Sequence, residues 1–249
     1  LFQIQGGYAL VMLTQNTLIG VRDPFGIRPL VIGKINDSYV FASETCALDI
    51  IGAKFIRDVD NGEIVYIENG KLNSIKPFPP KKIRPCVFEY IYFSRPDSIL
   101  NGECAYEYRK RLGAELAKET KIDADLVVPV PDSGNAAAIG FSKHTGKNFD
   151  LGLIRNHYVG RTFIEPAQKI RSLGVKLKLN ANKSSIKNKK IVLIDDSLVR
   201  GTTSHKIVKM LYDAGAKEVH MGIACPQIRF PDFYGVDMPT KKELLAANK

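Results

Sequence analysis

Asp195 and Asp196 stand at the end of an apolar run, Ile191–Ile194, and a few residues later come Gly201, Thr202, Thr203 and Ser204. The second group suits phosphate. Backbone N–H groups at a helix start are unpaired and point outward along the helix dipole, so they bind anions. Gly201 lets the backbone come close, and the hydroxyl residues add donors and helix caps. The spacing G-x-x-x-x-G-K-[ST] of a Walker loop is absent. Two carboxylates beside a phosphate repel it. They make sense where the ligand carries hydroxyl donors, or a divalent cation, a short distance from its phosphate. A ribose 5-phosphate has that shape. Its phosphate would lie on Gly201–Thr203 and its 2- and 3-hydroxyls on the Asp pair. Magnesium, a hard cation that prefers oxygen ligands, would sit between the acids and a diphosphate on C1. The plainer alternative is a polar strand-to-helix turn with helix-capping acids.

A second cluster, Asp132, Ser133 and Gly134, follows the run "VVPVP". Read by itself, Ser133 suits the N-cap of a helix over Ala136–His144. The net charge of +10 is concentrated. Arg155 to Lys190 holds ten Lys/Arg against one acid, Glu165, a local balance of +9. One basic segment beside a phosphate cradle suits a small, highly charged anion better than a nucleic acid, which calls for a broad basic face. Lys183–Lys190 reads as a solvated loop. Arg155 and Arg161, which flank Tyr158 and Gly160, read as functional.

These residues need strand ends and helix starts to hold them. Residues 1–76 are β-rich, with strand-like segments at Tyr8–Leu13, Leu18–Val21, Leu30–Ile32, Tyr39–Ala42 and Glu63–Glu68. Turn signals such as Asp23-Pro24-Phe25-Gly26 separate them. Pro77–Lys82 marks a boundary. From 77 to 249 strands alternate with helices. The strands are Val87–Phe93, Leu126–Val130, Ile191–Ile194 and Val219–Ala224. The helices are Cys104–Lys118, Ala136–His144 and His205–Ala214. That alternation implies a parallel sheet covered by helices on both faces, with ligands at the carboxyl ends of its strands. No apolar run is long enough to span a bilayer, and no basic-then-apolar leader opens the chain. Cys46, Cys86, Cys104 and Cys225 form no C-x-x-C pair, so a reducing cytoplasm is the expected compartment.

Val192–Thr203 resembles the phosphoribosyl diphosphate signature of type I phosphoribosyltransferases. "EYIYFSRPDS", "PVPDSG", "RNHYVGRTFIEP", "KLKLNANK" and "IRFPDFYGVDMP" narrow the likeness to the glutamine-dependent amidophosphoribosyltransferase family. "GGYALVML", "RDPFGIRPLVIG" and "VFASETCALDIIGA" resemble the closing portion of that family's N-terminal-nucleophile glutaminase domain. The resemblance implies a division into 1–76, the end of the glutaminase domain, and 77–249, a phosphoribosyltransferase domain. It implies the first step of purine synthesis. Ammonia from glutamine displaces diphosphate from C1 of phosphoribosyl diphosphate, giving 5-phosphoribosylamine and glutamate. Substrate would be held by Asp132, Ser133, Gly134, Asp195, Asp196, Ser197, Arg200, Gly201, Thr202 and Thr203. Magnesium would be held near Ser133, Asp195 and Asp196. Arg155, Arg161 and Lys178 would neutralise the diphosphate from a segment that closes as a lid. Purine nucleotide feedback and a homo-oligomer are further implications; nucleic acid and membrane are not.

Departures from the family pattern shape the expectation. The family's nucleophile is an N-terminal cysteine, and this chain begins at Leu1, so an internal fragment without glutaminase activity is expected. Some members bind an iron–sulfur cluster. Cys86 matches one of their ligands, but Asp232 stands where another belongs, so no cluster is expected and Cys86 reads as core. Three other classes compete: a salvage enzyme using a nucleobase, a non-catalytic sensor of phosphoribosyl diphosphate, and a nucleic-acid binder. The β-rich first part argues against the first, and retention of the basic segment against the second. Salt-dependent affinity for unrelated duplexes would mark the third.

Overall fold

The computed structural model describes residues 1–157, 178–236, 238 and 240–248. By internal contacts the chain forms two compact units: Leu1–Tyr106 with Asp232–Pro239, and Glu107–Pro231 with Thr240–Lys249.

The first unit holds two antiparallel sheets. β1 (Ala9–Leu13), β2 (Thr17–Arg22), β6 (Ile64–Glu68) and β7 (Lys71–Ile75) lie side by side in that order. β3 (Val31–Ile35) lies between β4 (Ser38–Ala42) and β5 (Lys54–Asp58), with the short helix α1 (Thr45–Ile50) connecting β4 to β5. Leu30, Ile32, Val59 and Val65 form one core cluster, and Val31, Leu48 and Ala53 another. The turn after β2 is tied by two buried charges. Asp23 accepts N–H bonds from Tyr8, Phe25, Ile27 and Arg28, and Arg22 donates to the carbonyls of Gly26, Arg28 and Val59. The residues "RDPFGIRP" therefore build a turn, as their Asp-Pro-Phe-Gly sequence implies.

One expected strand is corrected. Within Val87–Phe93, Glu89–Phe93 is a single wide helical turn closed by the Ser94 N–H on the Glu89 carbonyl. Its aromatic residues favour strands, but the buried Glu89 carboxylate takes an ion pair from Arg28 at 2.8 Å and a bond from the Ser94 hydroxyl. Those bonds fix a turn in place of a ladder.

The second unit carries the expected parallel sheet, β11 (Asn148–Phe149), β10 (Leu126–Pro129), β14 (Lys190–Asp195) and β15 (Glu218–Ile223), in that order. A separate ladder joins β12 (Leu153–Arg155) to β13 (Leu179–Ala181), and the small hairpin β8 (Ile99–Leu100) and β9 (Glu103–Cys104) belongs to the first unit. Helices α2 (Ala105–Glu119), α3 (Asn135–Thr145), α4 (Lys183–Ile186) and α5 (Thr202–Asp213) complete the elements discussed below.

β10 and β14 read as continuous apolar runs because both faces are covered. Leu126, Val128, Ile191 and Leu193 point to the face packed by Ile207 and Leu211 of α5. Val127, Val192 and Ile194 point to the other, against Ala137, Ala138 and Phe141 of α3 and Ala117 of α2. α2 and α3 cross closely. A Cβ on Gly113 would lie 1.8 Å from the Ala137 carbonyl oxygen, and one on Gly140 1.9 Å from that of Lys110. Among the described residues no helix is long and apolar enough to cross a membrane.

Candidate functional site

The carboxyl ends of β10 and β14 lie side by side, with Pro129 paired to Ile194 in the last register position. The chain then runs into two loops, 130–134 and 196–201, each leading to a helix start. The Val130 N–H still bonds the Ile194 carbonyl at 2.8 Å, so the first loop is anchored on β14. Gly134 is required there. A Cβ would lie 2.4 Å from the Ile194 carbonyl oxygen.

That close approach brings Ser133 to the acids. Its hydroxyl donates to Asp196 Oδ1 at 2.9 Å, and the Ser197 hydroxyl donates to Asp196 Oδ2 at 3.0 Å. The Asp196 N–H donates to Asp195 Oδ1 at 3.0 Å. Both acids are buried, at 9% and 8% relative exposure. Burial, with the adjacent Asp196 charge adding to it, pushes the Asp195 carboxyl up to about 8. The neighbouring Cys225 thiol is pushed up to about 11, again chiefly by burial. Two plainer readings fail here. Gly134 occupies the N-cap of α3 without a side-chain cap, and the Ser133 hydroxyl goes to Asp196. The acids do not cap α5, because its N-cap is Gly201 with no side-chain cap bond.

Gly201 adopts φ +76°, a left-handed conformation that favours glycine. Thr202 and Thr203 are exposed in the first turn, and Ser204 is buried. No hydroxyl caps this helix, contrary to the expectation that Thr202, Thr203 or Ser204 would do so. Arg200 donates to Glu243 at 2.5 Å.

Arg155 ends β12, and its guanidinium forms an ion pair with Asp132. Its Nε is buried with no hydrogen-bond partner among the described residues, as is the Oδ1 of Asn135 at the start of α3. Arg155 pairs with Leu179 at the end of the β12–β13 ladder, and just beyond it the Lys178 carbonyl accepts the Asn156 N–H at 2.9 Å. The structure thus joins Ser133, Asp195, Asp196 and Ser197 in one network and pairs Asp132 with Arg155. Arg161 lies outside the described residues. Asn135 and Glu243 escaped sequence reasoning. Asn135 sits directly after Asp132–Gly134, a position that signals it only once Gly134 is known to be the cap.

In the first unit Cys86 is buried, which raises its thiol pKa, and both Cys86 and Asp232 face Gly235. The two positions that the resemblance matched to cluster ligands are thus neighbours in space, and Cys86 is buried as expected. Among the described residues no group of three or more His, Cys, Asp or Glu side chains could hold a metal ion by itself.

Parallel strands that end in buried acids beside an uncapped helix start define an α/β unit of the type I phosphoribosyltransferase class, here in one chain with a glutaminase-type β unit. Residues 1–49 match the glutamine amidotransferase domain model. The chain is 56% identical over 249 residues to the amidophosphoribosyltransferase of Rhizobium etli, covering 98% of this chain and 50% of that protein. It is 54% identical to that of Synechocystis sp., covering 97% and 50%. A solved structure of glutamine phosphoribosylpyrophosphate amidotransferase from B. subtilis, complexed with ADP and GMP, superposes with TM-score 0.90 at 47% identity, covering 98% of this chain and 54% of that one. The chain is similar to amidophosphoribosyltransferases along nearly its whole length and spans about half the length of the curated relatives it matches.

Proposed function

We propose that the second unit binds phosphoribosyl diphosphate for transfer of ammonia to C1, within an amidophosphoribosyltransferase that opens purine synthesis. The observation that carries this reading is the buried Asp195–Asp196 pair, hydrogen-bonded to Ser133 and set beside an uncapped helix start. A buried acid without a cation is costly. The pair is reasonable where a ligand supplies donors and positive charge.

In this reading the N–H groups of the first turn of α5, with Gly201, Thr202 and Thr203, take the 5-phosphate, and the acids accept the ribose 2- and 3-hydroxyls. Asp132, Ser133 and Gly134 form the diphosphate loop. Ser197 and Arg200 line the cradle. The donor set fits magnesium. Two carboxylates and a hydroxyl are too few for a closed cage, but magnesium is usually bound by one or two carboxylates plus substrate phosphates. Ser133, Asp195 and Asp196 would hold it, and when bound it supplies charge neutralisation for the leaving diphosphate. Arg155 and Lys178, with Arg161, neutralise the same group from the protein side. The Arg155–Asp132 pair would open for this, freeing the guanidinium for the diphosphate.

The functional parts are residues 1–76, the end of the glutaminase domain, and 77–249, phosphoribosyltransferase. Glutamine as ammonia source, purine nucleotide feedback, a homo-oligomer and a cytoplasmic setting complete the reading. The ADP and GMP on the B. subtilis relative support feedback, and the four free thiols support a reducing compartment. The test is calorimetric titration with magnesium phosphoribosyl diphosphate, ribose 5-phosphate and an unrelated DNA duplex. Binding of both sugar phosphates, with the diphosphate tighter and the duplex absent, is expected. Arg155→Ala should weaken the diphosphate about tenfold or more and leave ribose 5-phosphate unchanged, since a charge-assisted bond contributes about 1.5–3 kcal/mol. Binding of the duplex alone would refute the reading.

A further inference from the structure

The loop that presents the phosphate cradle, Ser197–Gly201, is held from outside by a segment far along the chain. Lys241–Glu243 and Leu245–Ala247 form two short helical turns. Leu244 between them is fully buried and anchors the segment. Asn248 Nδ2 donates to the carbonyls of Lys242 and Leu244 at 3.0 Å and of Lys241 at 3.3 Å, which stiffens it. Two hydrogen bonds fall on successive loop residues: the Leu245 N–H donates to the Val199 carbonyl at 2.9 Å, and Glu243 accepts from Arg200 at 2.5 Å. The Leu245 side chain lies beside the next residue, Gly201, where an added Cβ would stand 3.4 Å from its Cδ2.

We infer that Lys241–Asn248 is a strap that positions the cradle, with Glu243 and Leu245 as positioning residues for phosphate binding. This rests on the reading of Gly201–Thr203 as the 5-phosphate site. The Arg200–Glu243 pair is exposed and contributes little to stability; its consequence is directional, turning Arg200 toward the strap. An unstrapped loop would have to be ordered at each binding event, and ordering a few residues weakens affinity. The strap supplies that order in advance.

The test uses the full chain and three variants: Glu243→Gln, Leu245→Ala and the conservative Leu245→Met. Amide hydrogen exchange is followed at 197–203, with β10 and β14 as internal references, and ribose 5-phosphate and magnesium phosphoribosyl diphosphate are titrated by calorimetry. Leu245→Ala should accelerate exchange at 197–203 and not in the reference strands. It should weaken both ligands by the same factor, about threefold to tenfold, because both place a 5-phosphate in the cradle. Glu243→Gln should do the same to a smaller extent, and Leu245→Met should restore binding. A purely structural role would raise exchange in β10 and β14 together with 197–203. Unchanged exchange and affinity in Leu245→Ala would overturn the strap. If the unaltered chain bound neither ligand while exchange still depended on Leu245, the proposed function would fall, and the positioning role with it.

Discussion

Each unit buries carboxylates, and their surroundings are opposite. Glu63, with a side chain 3% exposed, accepts two bonds from Arg57 at 2.7 and 2.8 Å, one from the Ser74 hydroxyl and one from the Asp60 N–H. Burial alone would raise its pKa; the Arg57, Ser74 and Asp60 donors outweigh burial and take it down to about 2. Asp195 accepts the Asp196 N–H, lies beside a second acid and has no cationic partner among the described residues. Its carboxyl rises to about 8. Glu63 has been given what a buried charge needs and holds the fold. Asp195 and Asp196 have hydrogen-bond donors but no cation among the described residues, and a fold gains little from two adjacent buried acids. Buried acids without a counter-charge are what a ligand-binding site looks like before its ligand arrives.

Arg57→Ala should have the largest effect on stability. It leaves Glu63 buried and short of its cation, so urea unfolding should show a loss of about 2–3 kcal/mol, at the low end for a broken buried pair because Arg57 is 36% exposed. Asp195→Asn should act in the opposite sense. The amide keeps an oxygen for the Asp196 N–H and removes a buried charge, so the chain should gain about 1 kcal/mol at pH 8. A loss as large as that of Arg57→Ala would erase the distinction between the two regions.

The pH profile is the subtlest test. Glu63 is depressed in the folded chain, so the stability it contributes is present above the unfolded value of 4.5 and is lost as pH falls toward 2. Asp195 is raised, so the folded chain binds the extra proton, and stability falls as pH rises from 3.8 toward 8. Stability to unfolding measured across this range should therefore rise, peak near pH 4–5 and decline. Glu63→Gln should flatten the acidic limb alone and Asp195→Asn the other.

How much of this was legible in the sequence follows from burial. β10 and β14 announced themselves because parallel strands covered on both faces read as apolar runs. The Asp pair was visible because such a run breaks abruptly into charge. β5 and β7 were not found. β5 "KFIRD" has three exposed residues and β7 "KLNSI" is half polar, so neither shows a clean alternation. α1 is six residues long, too short for a helical stripe. The turn at Glu89–Phe93 was misread because its aromatics imitate a strand while a single ion pair decides the backbone. Within the site, the types of Ser133 and Gly134 were legible and their partners were not. That Ser133 reaches Asp196 depends on the fit of Gly134 against β14, a distance no spacing encodes. The strap was invisible for the same reason: Glu243 and Leu245 sit in an ordinary polar stretch some forty residues beyond the loop they hold.

On the proposed function, Asp195 and Asp196 serve a ligand and not the fold. Calorimetry with magnesium phosphoribosyl diphosphate on Asp195→Asn with Asp196→Asn, matched to the unaltered chain by circular dichroism and urea unfolding, tests it most directly. Losing hydrogen bonds to two charged acceptors costs about 1.5–3 kcal/mol each, so affinity should drop by roughly a hundredfold or more with stability equal or higher. Unchanged affinity, or a stability loss that accounts for the weaker binding, would contradict the account.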